Sequence, residues 1–212
     1  MFYEPRLGHG LPHDPFKAIV APRPIGWVSS TGPDGRVNLA PFSHFNLVST
    51  APAALMFSCN TPSDRAEKDT VANVRATGEF VTNLVSRELA EAMNRTSTPL
   101  PHGDDEFELA GLAKASSVRV RPPRVAASPA ACECRLLQLV TVDPEEAGDT
   151  PSTFVIGRIV GVHIADGFLT AHGRFDTARA RPLARLGGDQ YAEPGPVFEL
   201  PSTFARAGAP RP

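Results

Sequence analysis

Residues 25–42, IGWVSSTGPDGRVNLAPF, decide the class of fold. Residues 25–30 form a short run typical of a strand, and the run ends at the turn-forming segment TGPDGR. Asp34-Gly35 suits a hairpin turn, because such turns need positive φ. We therefore expect antiparallel pairing across this turn rather than a βαβ crossover.

Further strand signals follow along the chain. They lie at residues 53–59, 79–85, 132–142, 153–165 and 168–175. A second Asp-Gly pair, Asp166-Gly167, predicts a hairpin between the last two of these strands. Several antiparallel strands with few helices predict a mainly β protein, folded as a closed or partly closed barrel.

Two short helices interrupt the strands. The first is expected to begin near Asp69 or Thr70, either of which can cap free N–H groups, and to stop at Gly78. The second follows Ser86. Because the end of the chain has too little apolar periodicity for a second core, we expect one domain over residues 1–192 and a tail over 193–212.

Composition limits the classes of partner. The chain has 212 residues and a formal net charge of −2, which creates no field that would attract nucleic acid or an anionic membrane. No apolar run approaches the roughly 20 residues needed to span a bilayer, and the start lacks the layout of a secretory signal. A cytoplasmic protein is the simplest expectation.

The three cysteines, Cys59, Cys132 and Cys134, do not form a redox pair or a zinc site by spacing. Cys132 and Cys134 are separated by one residue, so both should point to the same face of a strand. We expect all three to be small buried hydrophobes.

Lys68, Asp69 and Thr70 stand at the entrance to the first predicted helix. A helix N-terminus offers unpaired N–H donors and partial positive charge, to which Lys68 adds a full charge and Thr70 a hydroxyl. This arrangement suits a phosphate group. The alternative is an ordinary capped helix on a solvated surface.

Arg23 lies between two prolines that stiffen the backbone before a strand. A guanidinium on a stiff segment loses less entropy when it binds a phosphate or carboxylate. The alternative is a surface arginine.

The segment 153–165 contains two glycines on what should be one face. That face would carry Val155, Gly157, Ile159, Gly161 and His163, so a flat ligand could lie above the glycines beside a titratable ring. The alternative is that the glycines mark bulges or bends and that His163 is structural.

No metal site is expected. His102, Asp104, Asp105 and Glu106 crowd one loop and are better explained as a solvated acidic segment. Dinucleotide-binding, P-loop, zincin and α/β-hydrolase motifs do not occur in the sequence.

Together, these segments resemble the flavin reductase-like, FMN-binding split-barrel family, in the subgroup of flavoredoxin and nitrilotriacetate-monooxygenase reductase-type flavoproteins. The resemblance covers roughly residues 15–192, in order. The segments that carry it are PRPIGWVSS, DGRVNLAPFSHFN, KDTVANV, TGEFVTNLV, DEFELAGL, PPRVAASPAACEC, GRIVGVHI and RLGGDQYA.

The resemblance implies a six-stranded antiparallel Greek-key split barrel with a few short helices, a homodimer, and FMN near the subunit interface. It implies that Arg23, Lys68 and Thr70, with Asp69 between the last two, approach the FMN phosphate. His163 would lie near the ring or the nicotinamide, and Tyr191 would help to close the site. The residues implied to line the ribityl chain and the flavin ring are Ser43, Phe45, Asn46, Ser58 and Asn60.

In NLAPFSHFN, residues 38–46, the resemblance gives a reason for the mixture of aromatic and polar side chains. Ser43 and Asn46 can bind polar edges while Phe42 or Phe45 packs against a flat ring, and His44 is left as a bystander. The tail over 193–212 has no clear counterpart in the family and is expected to be a mobile or dimer-clasping extension.

The implied activity is hydride transfer from NADH or NADPH to FMN, which serves a downstream acceptor such as a monooxygenase. An alternative is a protein that holds FMN as an electron carrier without direct use of NAD(P)H. Both alternatives require FMN.

Overall fold

The computed structural model describes residues 1–101, 103–145 and 149–200; His102 and residues 201–212 of the tail lie outside the described part. Twelve strands and five α-helices occur in it, with single 3-10 turns at Pro5–Leu7, Arg87–Leu89 and Asp166–Phe168. The helices are α1 (Phe16–Ile19), α2 (Asp69–Thr77), α3 (Ala90–Arg95), α4 (Glu106–Ala110) and α5 (Thr177–Ala180). The strands are β1 (Arg23–Pro24), β2 (Gly26–Thr31), β3 (Val37–Phe42), β4 (Phe45–Thr50), β5 (Ala53–Asn60), β6 (Glu79–Leu84), β7 (Lys114–Ala115), β8 (Arg124–Val125), β9 (Ala130–Val142), β10 (Ser152–Ile164), β11 (Ala184–Arg185) and β12 (Tyr191–Ala192).

The main sheet is antiparallel and has seven strands in the order β3-β2-β6-β9-β10-β5-β4. Strands β3 and β4 are its two edges, yet only Ser43 and His44 separate them along the chain. The sheet must therefore curl until its edges meet, and the N–H of Ser58 donates to the carbonyl of His44 at 2.8 Å across this corner. The result is the expected mainly β split barrel, with seven strands in place of six.

The two Asp-Gly pairs have different outcomes. The pair at Asp34-Gly35 turns β2 into β3: Thr31 pairs with Val37, and Gly35 has a φ of 86°. The hairpin expected at Asp166-Gly167 is wrong, because that dipeptide lies in a 3-10 turn and residues 168–175 form no strand of the sheet. Strand β9 pairs β10 along its length, but β5 pairs only its first half, Ser152–Arg158. The segment after Asp166-Gly167 does not return along the other half of β10; it folds on itself instead, with Leu169 bridging Phe175.

Apolar side chains pack on both faces of the curled sheet. The inner cluster includes Val28, Phe57 and Phe80, and α2 closes it with Val71 and Val74. The second cluster lies on the opposite face, where α3 and α4 cover the sheet. Its members include Trp27, Leu39, Met93 and Phe107.

The two predicted helices occur where the sequence places them, whereas α1, α4 and α5 were not predicted. Helix α2 ends at Gly78, which has a φ of 72°, and the Arg87–Leu89 turn with α3 follows Ser86. Helix α2 begins one residue after Lys68, so neither Asp69 nor Thr70 is its N-cap. No helix in the described part is long and apolar enough to cross a membrane.

A bulge in β10 separates His163 from the barrel interior. Ile159 packs on the inner cluster, but the pairing with β9 shifts between Ile159 and Gly161. Beyond the shift, Gly161 lies against Glu133, and His163 donates from Nε2 to the Glu133 carboxylate on the outer face. The expectation that all five positions share one face is wrong, because an extra residue reverses the alternation of side chains.

The space expected above the β10 glycines is also filled. A methyl group at Gly157 would collide with the ring of Phe80, and one at Gly161 would touch Glu133 and Arg119. These glycines therefore allow close packing within the protein rather than room for a ligand.

Candidate functional site

A cavity of about 380 Å³ lies beside edge strand β3, between the N-terminal ends of α2 and α4. This volume is within the range of small-molecule sites. We call it the β3 cavity. Its lining includes Asn38 and Pro41 from β3, Arg65, Lys68, Asp69 and Thr70 at the start of α2, Thr98 from the loop after α3, and Glu106 from α4.

The start of α2 presents donors to this cavity. The N-cap position is Lys68, whose side chain makes no capping hydrogen bond to the first turn. Lys68 is exposed, and its ammonium makes no ion pair with another residue of the described chain. Arg65 is held nearby by Asp64 at 3.0 Å and Asp69 at 3.5 Å. Uncapped N–H groups, a helix dipole and an unpaired ammonium are the donor set that binds phosphate.

Three buried polar side chains form the inner wall of the β3 cavity. The side-chain amide of Asn38 lies 2.8 Å from Thr70 Oγ1, and Glu106 accepts a hydrogen bond from the N–H of Leu39 at 2.8 Å. Burial raises the pKa of Glu106, with Asp105 and Asp69 adding to the rise, while the Leu39 N–H opposes it. The wall therefore contains a carboxyl group that is easier to protonate than an ordinary glutamate.

Three of the predicted flavin-lining residues share a different surface. Leu55, Phe57 and Cys59 point into the inner cluster, so Ser58 and Asn60 of β5 point to the opposite face. Asn46 of β4 is directly opposite Met56 and lies on the same face. Asn60 also accepts a hydrogen bond from the Ser152 hydroxyl at 2.9 Å.

The β3–β4 corner contains the other two predicted flavin-lining residues, Ser43 and Phe45. Ser43 is half-buried in the turn itself. Phe45 packs on the inner cluster, with its ring against Gly26, so its side chain faces the barrel interior. His44 is largely exposed. Partial desolvation of its ring, together with the charges of Arg23 and Lys17, lowers its pKa and keeps the ring neutral near pH 7.

Neither the β3 cavity nor the set of predicted flavin-lining residues includes Arg23, Tyr191 or His163. Arg23 is buried and donates to the carbonyls of Lys17 and Val20 and, at 2.7 Å, to that of Leu186, so its guanidinium ties the N-terminal segment to the strand β11 region. The Tyr191 ring stacks under the Arg185 guanidinium, 4.5 Å from the ring centre.

Sequence reasoning missed three members of the β3 cavity. Asn38 was only part of a longer motif, and Arg65 was not singled out. Glu106 was expected in a solvated acidic loop, which is wrong, because it is buried at the start of α4. Arg65 precedes Asp69 by four residues, a spacing that signals an ion pair. No group of three or more metal-ligating side chains occurs among residues 1–101, 103–145 and 149–200.

The curled sheet and the β3 cavity define a split-barrel protein. Flavoredoxin of Desulfovibrio vulgaris has this fold, with a TM-score of 0.73 and 20% identity over 98% of this chain and 100% of that chain. A family model for the flavin reductase like domain matches residues 20–179. The chain therefore belongs to the flavin reductase-like family.

More similar proteins agree with this assignment. Nitrilotriacetate monooxygenase component B from Bacillus cereus is 30% identical, with a TM-score of 0.84 over 94% of this chain and 98% of that one. The 2-nitrobenzoate 2-nitroreductase NbaA of Pseudomonas fluorescens is 26% identical, with a TM-score of 0.75 and 92% of each chain covered. An uncharacterised protein of Aquifex aeolicus is 38% identical over 82% of this chain and 86% of its own.

Proposed function

We propose that this protein binds FMN and reduces it with NADH or NADPH. The observation that carries the proposal is the uncapped start of α2, where Lys68 has no ion-pair partner in the described chain and borders the β3 cavity. Family membership and the Desulfovibrio flavoredoxin support the choice of a flavin. The bound flavin would supply the hydride acceptor, which no protein side chain can provide.

The phosphate would occupy the β3 cavity. Lys68 and the N–H groups of Asp69 and Thr70 would bind its oxygens through charge-assisted hydrogen bonds. Arg65 lines the same cavity and would add a second cation. Arg23 is absent from this proposed contact set, because its guanidinium is already used by three backbone carbonyls.

The ring would lie toward the β3–β4 corner and the outer face of β4 and β5. Asn46, Ser58 and Asn60 share that face and would bind the polar edges of the ring and the ribityl chain. Ser43 would reach it from the corner, while Phe45 would support the corner from inside the barrel. Donors placed at the pyrimidine edge would stabilise the negative charge that develops there on reduction.

The same outer face favours a homodimer. Cross-strand pairing aligns Met56 with Ile156, and Ser58 with Phe154 and Val140. Val142, one pair further along, is 52% exposed, and Val48 on edge strand β4 is also 52% exposed. An apolar surface next to polar side chains is typical of an interface, and a second copy would cover both it and the ring.

A monooxygenase would be a suitable acceptor of the reduced flavin, by analogy with component B of Bacillus cereus. The deciding experiment mixes the purified, FMN-loaded protein anaerobically with NADH and then with NADPH while the flavin absorbance is followed. Bleaching by either nucleotide is expected. Bleaching only by dithionite would favour an electron carrier, and failure to bind added FMN would overturn both functions.

A further inference from the structure

We propose that the outer face of the β9–β10 hairpin packs on the same face of a second copy with the strands running in opposite directions, so that two arginines of each copy bind acidic residues of the other. The inference deepens the homodimer of the proposed function and rests on it for the identity of the partner. We call Arg135 and Arg158 the hairpin base, and Asp143 and Glu145 the hairpin tip.

The hairpin base carries positive charge that the chain does not neutralise. Arg135 of β9 is directly opposite Arg158 of β10, and both are exposed. In the described part of the chain neither forms an ion pair, and the Arg135 guanidinium donates to the carbonyl of Arg119 at 3.2 Å. Glu79, on the other side of Arg135, is paired with Arg121 at 3.3 Å. Because like charges directly opposite each other destabilise a sheet, carboxylates from outside the chain would stabilise the hairpin base.

The hairpin tip carries the opposite charge. Asp143 directly follows the end of β9, and both Asp143 and Glu145 are exposed. Neither side chain forms a hydrogen bond or an ion pair with the residues that the structure describes. Between Arg135 and Arg158 the sequence contains four acidic residues and no lysine or arginine. The hairpin therefore has a cationic and an anionic end.

An uncharged band separates the two ends on the same face. Phe154 and Ile156 flank Val155, which lies in the inner cluster, so both point outward. Their partners on β9 are Val140 and Gln138. Val140 is 36% exposed, so apolar surface is left for a partner to cover.

The spacing of the charged ends suits a two-fold axis. Phe154 and Val140 are directly paired. Along β10, Arg158 is four residues from Phe154, and along β9, Asp143 is three residues from Val140, distances of about 13 Å and about 10 Å at the rise of a strand. A two-fold axis that crosses the strands at this pair reverses their direction and sets the tip of each copy on the base of the other. An axis parallel to the strands would set base on base, which like charges oppose.

The complementarity of one face with itself favours a second copy over a different protein. An isologous interface uses the same patch on both subunits, and here that patch supplies both charges. Ser58 of β5 is directly opposite Phe154, so a copy in this orientation would also cover the face proposed for the flavin ring.

Two charge-reversed forms of the full chain test the orientation. Arg135→Glu/Arg158→Glu makes the hairpin base negative, and Asp143→Lys/Glu145→Lys makes the hairpin tip positive. Sedimentation equilibrium of the FMN-free proteins measures the dimer dissociation constant. Each form alone should dimerise about a hundredfold more weakly than the wild type, about tenfold for each of the two ends where like charges then meet.

Mixing the two forms gives the sharper measurement. In a mixed dimer, the carboxylates introduced at the base of one copy meet the lysines introduced at the tip of the other, while the second end keeps its natural arginines and acidic residues. The affinity of the mixed dimer should therefore return to the wild-type value, and this recovery also shows that both forms are folded. A mixed dimer as weak as the separate forms would overturn the proposal.

Arg36→Glu/Arg75→Glu is the matched control. It reverses two exposed arginines that lie away from the hairpin and pair with Asp34 and Glu67, so the dimer affinity should not change. A wild-type dimer that resists both reversals would show that the orientation is wrong while the homodimer stands. A wild type that stays monomeric at every concentration would overturn both. Neither result involves FMN, whose reduction by NADH or NADPH tests the proposed activity separately.

Discussion

Two buried glutamates, Glu133 and Glu106, hold backbone N–H groups on the outer side of the barrel, but their surroundings differ. Glu133 is fully buried and accepts from the N–H groups of Val118, Arg119 and Val120 at 2.5 to 3.1 Å, and from His163. Glu106 accepts from the N–H of Leu39, with its own backbone N–H as a weaker second donor, and lines a cavity. The number of donors decides which carboxylate is a fixed structural anion and which can change its charge.

The pKa directions follow this difference. Burial alone would raise the pKa of Glu133, but His163 and the N–H groups of Val118 and Arg119 outweigh it and hold the pKa below its ordinary value. For Glu106 the balance is opposite, and burial raises the pKa. Glu133 is therefore a permanently ionised hydrogen-bond acceptor, whereas Glu106 is a titratable side chain in the wall of the β3 cavity.

The largest effect is expected from Glu133→Gln. The amide nitrogen would face N–H donors, leaving a buried network broken, which should lower the free energy of unfolding by about 3 kcal/mol. Urea denaturation of the purified variant measures this loss. Glu106→Gln is the matched comparison and should cost less than about 1 kcal/mol, because the N–H of Leu39 keeps an acceptor in the glutamine oxygen. Equal losses in the two variants would remove the distinction between the sites.

An intermediate effect is expected from Lys68→Ala. Loss of a charge-assisted hydrogen bond should weaken FMN binding by roughly 1–3 kcal/mol without changing stability, since Lys68 is exposed. Fluorescence titration measures the affinity. Arg75→Ala removes a cation from the last turn of the same helix and should leave binding unchanged. Equal affinity of Lys68→Ala and wild type would exclude Lys68 from the site.

The smallest effect is a pair of opposite pH dependences. Because its folded pKa is lowered, Glu133 contributes stability above its ordinary pKa, about 4.3, and this contribution is lost as the pH falls through the folded pKa. Because its folded pKa is raised, Glu106 contributes stability below that ordinary value, which is lost as the pH rises through the folded pKa. Urea midpoints between pH 3 and pH 8 should lose the acid-side decline in Glu133→Gln and the decline at higher pH in Glu106→Gln. Parallel curves for the two variants would contradict the assigned directions.

Much of the fold was predictable because it depends on local patterns. Alternating side chains located β2, β5, β6, β9 and β10, and Asp34-Gly35 located the first hairpin. Strands β3 and β4 were harder to identify because Pro41, Ser43 and the exposed face of β4 interrupt the apolar alternation. The second Asp-Gly pair was misleading because the segment after it folds on itself, with Leu169 bridging Phe175, instead of pairing with β10.

The candidate site was predictable only in part. Lys68 and Thr70 were recognisable because a helix N-terminus has a local sequence signal. His163 faces outward because of one bulge in β10, and Arg23 is held by distant carbonyls such as that of Leu186. Neither the bulge nor these long-range contacts have a local signal in the sequence. The roles of His163 and Arg23 in catalysis and phosphate binding stay predictions from the family resemblance.

The sequence by itself determined the strand-rich class, the first hairpin, the helix at Lys68–Thr70 and the family, because residue type and short spacing carry this information. Only the tertiary structure decided which face each residue of β10 presents and which carboxylates are fully hydrogen-bonded. It also brought Asn38, Thr70 and Glu106 together, although Asn38 and Thr70 are 32 residues apart and Leu39 and Glu106 are 67 residues apart. Such contacts depend on the closure of the barrel, where long-range packing rather than local propensity sets the neighbours of each side chain.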